Sequence, residues 1–380
     1  MSNLFNTYAR YPFDLVSGHD WHLVDNHGKT YLDMTAGIGV CSFGYNDPEI
    51  TGAVEAQLSQ VWHTSNLYES QLQETVGGLL AGPDKLAFFC NSGTEANEAA
   101  FKLARKATGK TRVLAFNNGF HGRTYGAMSL TGNPAIQAGF APLVPDVVFA
   151  DYNDPQALDQ IDADLAAVIL EVIQGEGGVY VGDQAWLQSV QAKCHATNTL
   201  LIIDEVQSGI GRTGYKFAYE AFGLDPDIVT MAKALANGLP IGAMIGKKAL
   251  GPAFTPGSHG TTFGGNKLAL SAAEQVLTKL TPAFLATVQQ KADAVWTTLS
   301  DTIAPLKAVN GISGMGLMIG IHLDESVPVD AVIAKLQALG ILTLSAKHNT
   351  LRLLPPLIMS QADLLAGLAQ IATVLKEAAV

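Results

Sequence analysis

T-L-L-I-I-D-E-V, residues 199–206, runs four large aliphatic residues straight into two acids. An unbroken apolar run lacks the alternation of a half-exposed strand and suits a strand buried on both faces, as in a parallel sheet. The segment before it, DQAWLQSVQAKCHATN (183–198), has helical spacing, and before that LAAVILEVI (165–173) is again an apolar strand. The pattern continues outward in both directions. LAFFCN (86–91), TRVLAFN (111–117), VVFAD (147–151), DIVTMA (227–232) and GAMIGK (242–247) read as strands, and TEANEAAFKLARKATG (94–109) as an amphipathic helix. Such alternation predicts an α/β fold with a mainly parallel sheet flanked by helices.

After Gly265 the rhythm changes. Long helical stretches (267–302, 328–339, 360–378) surround the short strands GLMIGIHL (316–323), ILTLSA (341–346) and TLRLL (350–354), which predicts a smaller α+β unit. The opening residues, rich in Gly and turn formers, are expected to pack with it. The predicted organisation is an N-terminal segment (1–60), a large domain (61–266) and a C-terminal small domain (267–380).

Composition narrows the function classes. Apolar residues make up 48% of the 380 and charged ones 15%, which excludes a disordered chain. A net charge of -11 argues against a nucleic-acid partner. Cys41, Cys90 and Cys194 are isolated and show no metal-ligand spacing, so no metal is expected and a reduced, cytoplasmic compartment is the simplest reading. The start, MSNLFNTYARYPF, lacks a basic end followed by an apolar run, so no signal peptide is expected. No apolar stretch approaches the roughly 20 residues that span a bilayer, so no membrane partner is expected either.

In an open parallel sheet, chemistry collects at the carboxyl ends of the strands. Asp204 and Glu205 end one such strand, and a carboxylate there needs a cation or several donors. After strand 86–91 comes NSGTEANE (91–98), where Ser92 and Glu95 match a capping box. Gly93 would also let a phosphate approach the free N–H groups of the helix start. TMAKALANGLPIGA (230–243) holds one charge, Lys233, among small apolar residues. It is either a strand-end lysine reaching water or an amine kept for chemistry. Arg123 in FHGRT (120–124) lies in a loop, and Arg352 in LRLLPPLI (351–358) wants a carboxylate, for which Glu176 in EVIQGEGG (171–178) is the candidate.

Two other stretches imitate nucleotide motifs. GIGRTG (209–214) fits G-x-G-x-x-G, but two acids precede its first glycine and no convincing helix follows. ATGKT (107–111) closes a helix rather than opening one. Taken together, the remaining pieces supply a phosphate cradle, an aromatic plate, a buried acid, a lysine amine and two carboxylate-binding arginines. Pyridoxal phosphate chemistry on an amino acid requires that set.

NSGTEANEAAFKLAR, FHGRT, IQGEGG, IIDEVQSGIGRTG, AKALANGLPIGA and TTFGGN occur in the order and spacing of the class III pyridoxal-phosphate-dependent aminotransferases. The chain resembles that family from YARYPF near its start to LRLLPPLI near its end, and most of all the members acting on N-acetylornithine. It departs from the family pattern at Val172, at GYNDP (44–48), at Asn237 and at Lys267.

The resemblance implies a fold-type I PLP-dependent transferase. Lys233 would form the Schiff base with the cofactor aldehyde and then shuttle the proton. Asp204 would keep the pyridine nitrogen protonated, with Glu205 also among the cofactor contacts. Phe120 and Val206 would flank the ring, Gln207 would bond its phenolic oxygen, and Gly93 and Thr94 would hold its phosphate. Thr262 would complete that site from the neighbouring subunit of a homodimer, with Thr261 near the substrate. Arg123 would clamp the α-carboxylate of N-acetylornithine, while Glu176 masks Arg352 until 2-oxoglutarate arrives. The products would be N-acetylglutamate semialdehyde and glutamate, a step in arginine biosynthesis, with ping-pong kinetics. Ornithine, succinylornithine, succinyldiaminopimelate or 4-aminobutyrate are the alternative donors. A dehydrogenase using GIGRTG, or a catalytically silent scaffold, is the alternative from another class.

Overall fold

The computed structural model describes residues 3–378, so the two residues at each end of the predicted terminal segments lie outside the described residues. Leu200–Asp204 is the central strand of a seven-stranded sheet. The order across it is Lys85–Cys90, Gly242–Lys247, Ile228–Met231, Leu200–Asp204, Leu165–Leu170, Arg112–Phe116, Val147–Ala150. Neighbours pair in parallel except Gly242–Lys247, which runs antiparallel to both strands beside it.

Successive side chains of a strand face opposite ways, and here both faces are covered. Ile202, Ile169 and Val113 pack with Ala99, Ala100 and Leu103 of the helix Gly93–Thr108. Leu201, Ile203 and Leu170 pack on the other side with Trp186, Leu187 and Val190 of the helix Gln184–Thr197. That double burial is why the run 199–206 shows no polar alternation. Ser92 caps the helix Gly93–Thr108, and Gly109 ends it in the left-handed conformation at φ 69°, so ATGKT is a helix terminus.

A second core lies under the antiparallel sheet Val309–Met315, Met318–Leu323, Thr350–Leu353, Leu344–Ala346. Ile319, Ile321, Leu351 and Leu353 meet Val288, Val295, Leu368 and Ile371 there. The N-terminal strands Leu15–His19, His22–Asp25 and Thr30–Asp33 form a separate sheet whose last partner is Ile341–Leu342. The helical stretch 267–302 is interrupted: Leu280 leaves the helix, Thr281 caps a new one, and Pro282 opens it. The first half, Lys267–Lys279, puts Leu270, Ala273 and Val276 into the core of the large sheet.

Candidate active site

The carboxyl ends of the central strands surround a cavity of about 410 Å³. Asp204, Val206, Gln207, Lys233, Phe120 and Arg123 line it, together with Gly93 and Thr94 at the helix start. Eight of the residues singled out by sequence therefore meet in one place.

Asp204 is 3% exposed and fully mounted. Its Oδ2 accepts from Asn97 Nδ2 at 2.7 Å and lies 2.8 Å from His121 Nδ1, and its Oδ1 accepts the Val206 amide at 2.9 Å. Asn97 is fixed in turn, because Thr230 Oγ1 donates to its oxygen at 2.7 Å and its nitrogen also donates to the His121 carbonyl. Burial works against a charge on His121, but the bond to Asp204 and its negative charge lift the imidazole above its ordinary pKa. The cluster thus presents one anionic oxygen, Oδ1, with a lone pair left for the cavity.

Lys233 starts a single 3₁₀ turn right after the strand Ile228–Met231 and has φ +41°, a conformation that costs a non-glycine residue. Its amine ends no hydrogen bond or salt bridge among the described residues. Burial lowers its pKa, while the charge of Glu176 pulls the other way. A strained lysine with a free amine inside a cavity is poor structural design and sound preparation for a nucleophile.

The glycines of the cradle are sterically required. A Cβ on Gly93 would lie 2.7 Å from Val206 Cγ1, and one on Gly122, at φ +136°, would lie 2.1 Å from Thr94 Oγ1. The Thr94 hydroxyl accepts the amides of Arg123 and Thr124 at 3.2 Å each, which joins the FHGRT loop to the helix start. The capping differs from a standard box: Ser92 Oγ accepts Glu95 N, but Glu95 accepts from Asn91 N, one residue early. Gly93 and Thr94, whose amides have no intrahelical acceptor, line the cavity.

The two arginines differ. Arg123 is exposed at the cavity, its guanidinium 5.8 Å from the Phe120 ring centre and in no salt bridge among the described residues. Arg352 is 3% exposed and gripped by Glu176 through Nη1–Oε1 at 2.5 Å and Nη2–Oε2 at 3.3 Å. Burial opposes the Glu176 charge, but the Arg352 guanidinium holds the carboxyl below its usual range. Neither partner lines the cavity, although Gln207 touches both and does line it.

Three residues lie elsewhere. Glu205 turns away from the cavity: its carboxylate accepts Ser208 Oγ at 2.7 Å and Tyr219 N at 2.8 Å, and burial pushes its pKa up to about 7. Strand alternation beside an inward Asp204 is the signal that points it there. Thr261 and Thr262 line a second cavity of about 730 Å³, which Asn91 joins to the first by donating to Thr261 Oγ1 at 3.2 Å. Three site residues escaped the sequence reading: Asn97, His121 and Glu171. Glu171 accepts the Phe120 amide at 2.9 Å, and burial raises it to about 7, with His121 opposing and Asp204 adding to the rise. His121 sits inside the quoted FHGRT, so a buried loop histidine one residue from an aromatic plate was the available signal.

GIGRTG is packed into the interior around its arginine. Arg212 is 1% exposed and donates to the carbonyls of Leu317 at 3.2 Å and Pro355 at 2.5 Å and to Ser42 Oγ at 3.0 Å.

Comparison with known proteins finds relatives over nearly the whole chain. The family model for Aminotransferase class-III matches residues 6–375. An acetylornithine aminotransferase of Lactiplantibacillus plantarum is 65% identical over 376 residues, covering 99% of this chain and 97% of its own. Among solved structures, the N-acetylornithine aminotransferase of Stenotrophomonas maltophilia superposes with a TM-score of 0.84 at 31% identity, over 97% of this chain and 96% of its own. The ornithine aminotransferase of Toxoplasma gondii, which carries PLP at partial occupancy in its active site, has a TM-score of 0.93 at 27% identity, over 98% and 92%.

Proposed function

The chain belongs to the class-III aminotransferases, and from that premise we propose that it transfers the distal amino group of N2-acetyl-L-ornithine to 2-oxoglutarate. The products are N-acetyl-L-glutamate 5-semialdehyde and L-glutamate, a step toward arginine, and the cofactor is pyridoxal 5'-phosphate. The observation that carries this reading is the unequal state of the two arginines: Arg123 is in no salt bridge among the described residues and lines the cavity, while Glu176 covers Arg352. A donor whose α-amine is acylated needs one free guanidinium for its α-carboxylate and none at its amine end.

The residues fit the cofactor. Gly93 and Gly122 leave room that a Cβ would fill, the Lys233 amine has no hydrogen-bond or salt-bridge partner among the described residues, and Asp204 Oδ1 could accept from a protonated heteroaromatic nitrogen. When bound, pyridoxal phosphate supplies an aldehyde that captures amines and a ring that withdraws electrons from the adjoining carbon. Asp204 would hold a proton at the ring nitrogen, and His121 and Asn97 stop the carboxylate from turning. Lys233 would be the base that moves the proton to and from the substrate carbon. Phe120 and Val206, which line the cavity, would keep water from the ring, and the amides of Gly93 and Thr94 at the positive end of the helix dipole would hold the phosphate. Arg123 fixes the donor carboxylate with a bidentate fork. In the second half-reaction Glu176 swings off Arg352, which then receives the distal carboxylate of 2-oxoglutarate.

The active unit in this reading is a cytoplasmic homodimer in which Thr261 and Thr262 serve the neighbour's site. Their place in a separate open cavity supports it, as do the nearby apolar side chains Leu67, 91% exposed, and Phe263, 63% exposed. Among the described residues no helix is long and apolar enough to cross a membrane.

Assaying N-acetylornithine, ornithine, succinylornithine, succinyldiaminopimelate and 4-aminobutyrate against 2-oxoglutarate tests the assignment. The acetylated donor should show the highest kcat/KM. A higher value for free ornithine would move the assignment to the activity named for the Toxoplasma gondii structure.

A further inference from the structure

Glu176 does not hold Arg352 alone. Gln207 Oε1 accepts from Arg352 Nη1 at 3.0 Å, and Gln207 Nε2 donates to Glu176 Oε1 at 3.2 Å. With the Glu176–Arg352 pair itself, the three side chains close a ring in which each touches the other two. Arg352 and Gln207 are almost sealed from solvent, whereas the Glu176 side chain is 34% exposed, so Glu176 is the member with room to leave.

The carboxamide cannot reverse within this ring. One end only donates and the other only accepts, so a flip would set its oxygen against the Glu176 carboxylate and its N–H groups against the guanidinium. Gly175 leaves the carboxamide the room it occupies, since a Cβ there would lie 2.3 Å from Gln207 Oε1. Gln207 is also the one member that lines the Lys233 cavity. It therefore connects the chemistry in the cavity to a salt bridge outside it.

We propose that Gln207 is a positioning residue that sets how tightly Glu176 masks Arg352, and thereby how readily the site accepts a ligand with two carboxylates. The inference rests on the reading of Arg352 as the receiver of a distal carboxylate. An acceptor in the cavity that draws Nε2 toward itself takes a donor from Glu176 and loosens the mask. The arginine retains its bond to Gln207 Oε1 and stays in place to meet the incoming anion.

The test is the Kd of the holoenzyme for glutarate, a five-carbon dicarboxylate with no reactive amine or carbonyl, measured by calorimetry. Glu176→Gln should tighten glutarate about tenfold by releasing the guanidinium. Gln207→Leu removes two bonds of the closed ring and should tighten it about fivefold. In the Glu176→Gln background Gln207→Leu should lose that gain, because no mask is left to loosen. Gln207→Glu should act in the opposite direction, since it places a second, captive carboxylate on Arg352. A Gln207→Leu effect of the same size in both backgrounds, or tightening by Gln207→Glu, overturns the proposal while leaving the mask intact. No change with Glu176→Gln alone would instead remove the underlying reading of Arg352.

Discussion

His121 Nδ1 lies 2.8 Å from Asp204 Oδ2, with both side chains almost wholly out of solvent. The pair makes Asp204 a fixed anion rather than a strand-end acid free to turn. Asp204→Asn should lower kcat by about 10²–10⁴-fold, the usual range for removing a positioned proton-holding group. It should also cost about 1–3 kcal/mol in stability, because an amide nitrogen at either position meets donors already there: Asn97 and His121, or the Val206 amide. Steady-state kinetics and thermal melts separate the two effects, and an unchanged rate would make the acid structural.

Lys233 offers a paired comparison. Lys233→Ala and Lys233→Gly should both abolish turnover. Their stabilities should differ, because φ +41° suits glycine and strains alanine. The glycine variant should be more stable by about 1 kcal/mol. Equal melting points would mean that the backbone relaxes once the side chain is gone.

Glu176→Gln should shift donor choice. With Arg352 uncovered, kcat/KM for glutamate relative to N-acetylornithine should rise about tenfold, the worth of one charged hydrogen-bonded pair. Competition between the two donors under single-turnover conditions measures the ratio directly. A fixed ratio would show that Arg352 plays no part in choosing the donor.

Glu205 gives a pH test that does not involve the cavity. Burial raises its folded pKa from 4.5 to about 7. The folded state therefore binds the proton more tightly than the unfolded chain. Its stabilising contribution is complete below about pH 4.5 and is lost as pH rises to about 7, a change on the order of 3 kcal/mol. Glu205→Gln should remove that slope, so that urea midpoints vary less between pH 5 and 8 than in the parent.

Much of this molecule could be read from the order of its residues, and the omissions have physical causes. The run 199–206 announced a strand buried on both faces because a helix covers each side of it. Nothing in GAMIGK told that it runs against its neighbours, since strand direction leaves no mark on hydrophobic spacing. Val309–Met315 went unseen because VNGISGM has two glycines and little alternation. The break at Leu280–Pro282 was legible and missed: Thr-Pro is a helix start. Phe120, Lys233 and Arg352 could be found because each is out of character with its surroundings. Asn97 and Glu171 sit in segments that make sense without them, and only the fold brings them to Asp204 and Phe120. Asn237, a departure from the family pattern, occupies a left-handed position at φ 47° and bonds Phe43 N and Gly44 O at 2.8 and 2.9 Å.

Arg212 limits how this molecule can move. Its guanidinium ties together Ser42, Leu317 and Pro355, three points distant in the chain, and among the described residues it forms no salt bridge. Prying those segments apart would break three hydrogen bonds from one guanidinium at once, so a jaw that hinges open at this seam is costly. Accommodating two chemically unlike reactants in turn then falls to single side chains pivoting within a rigid frame.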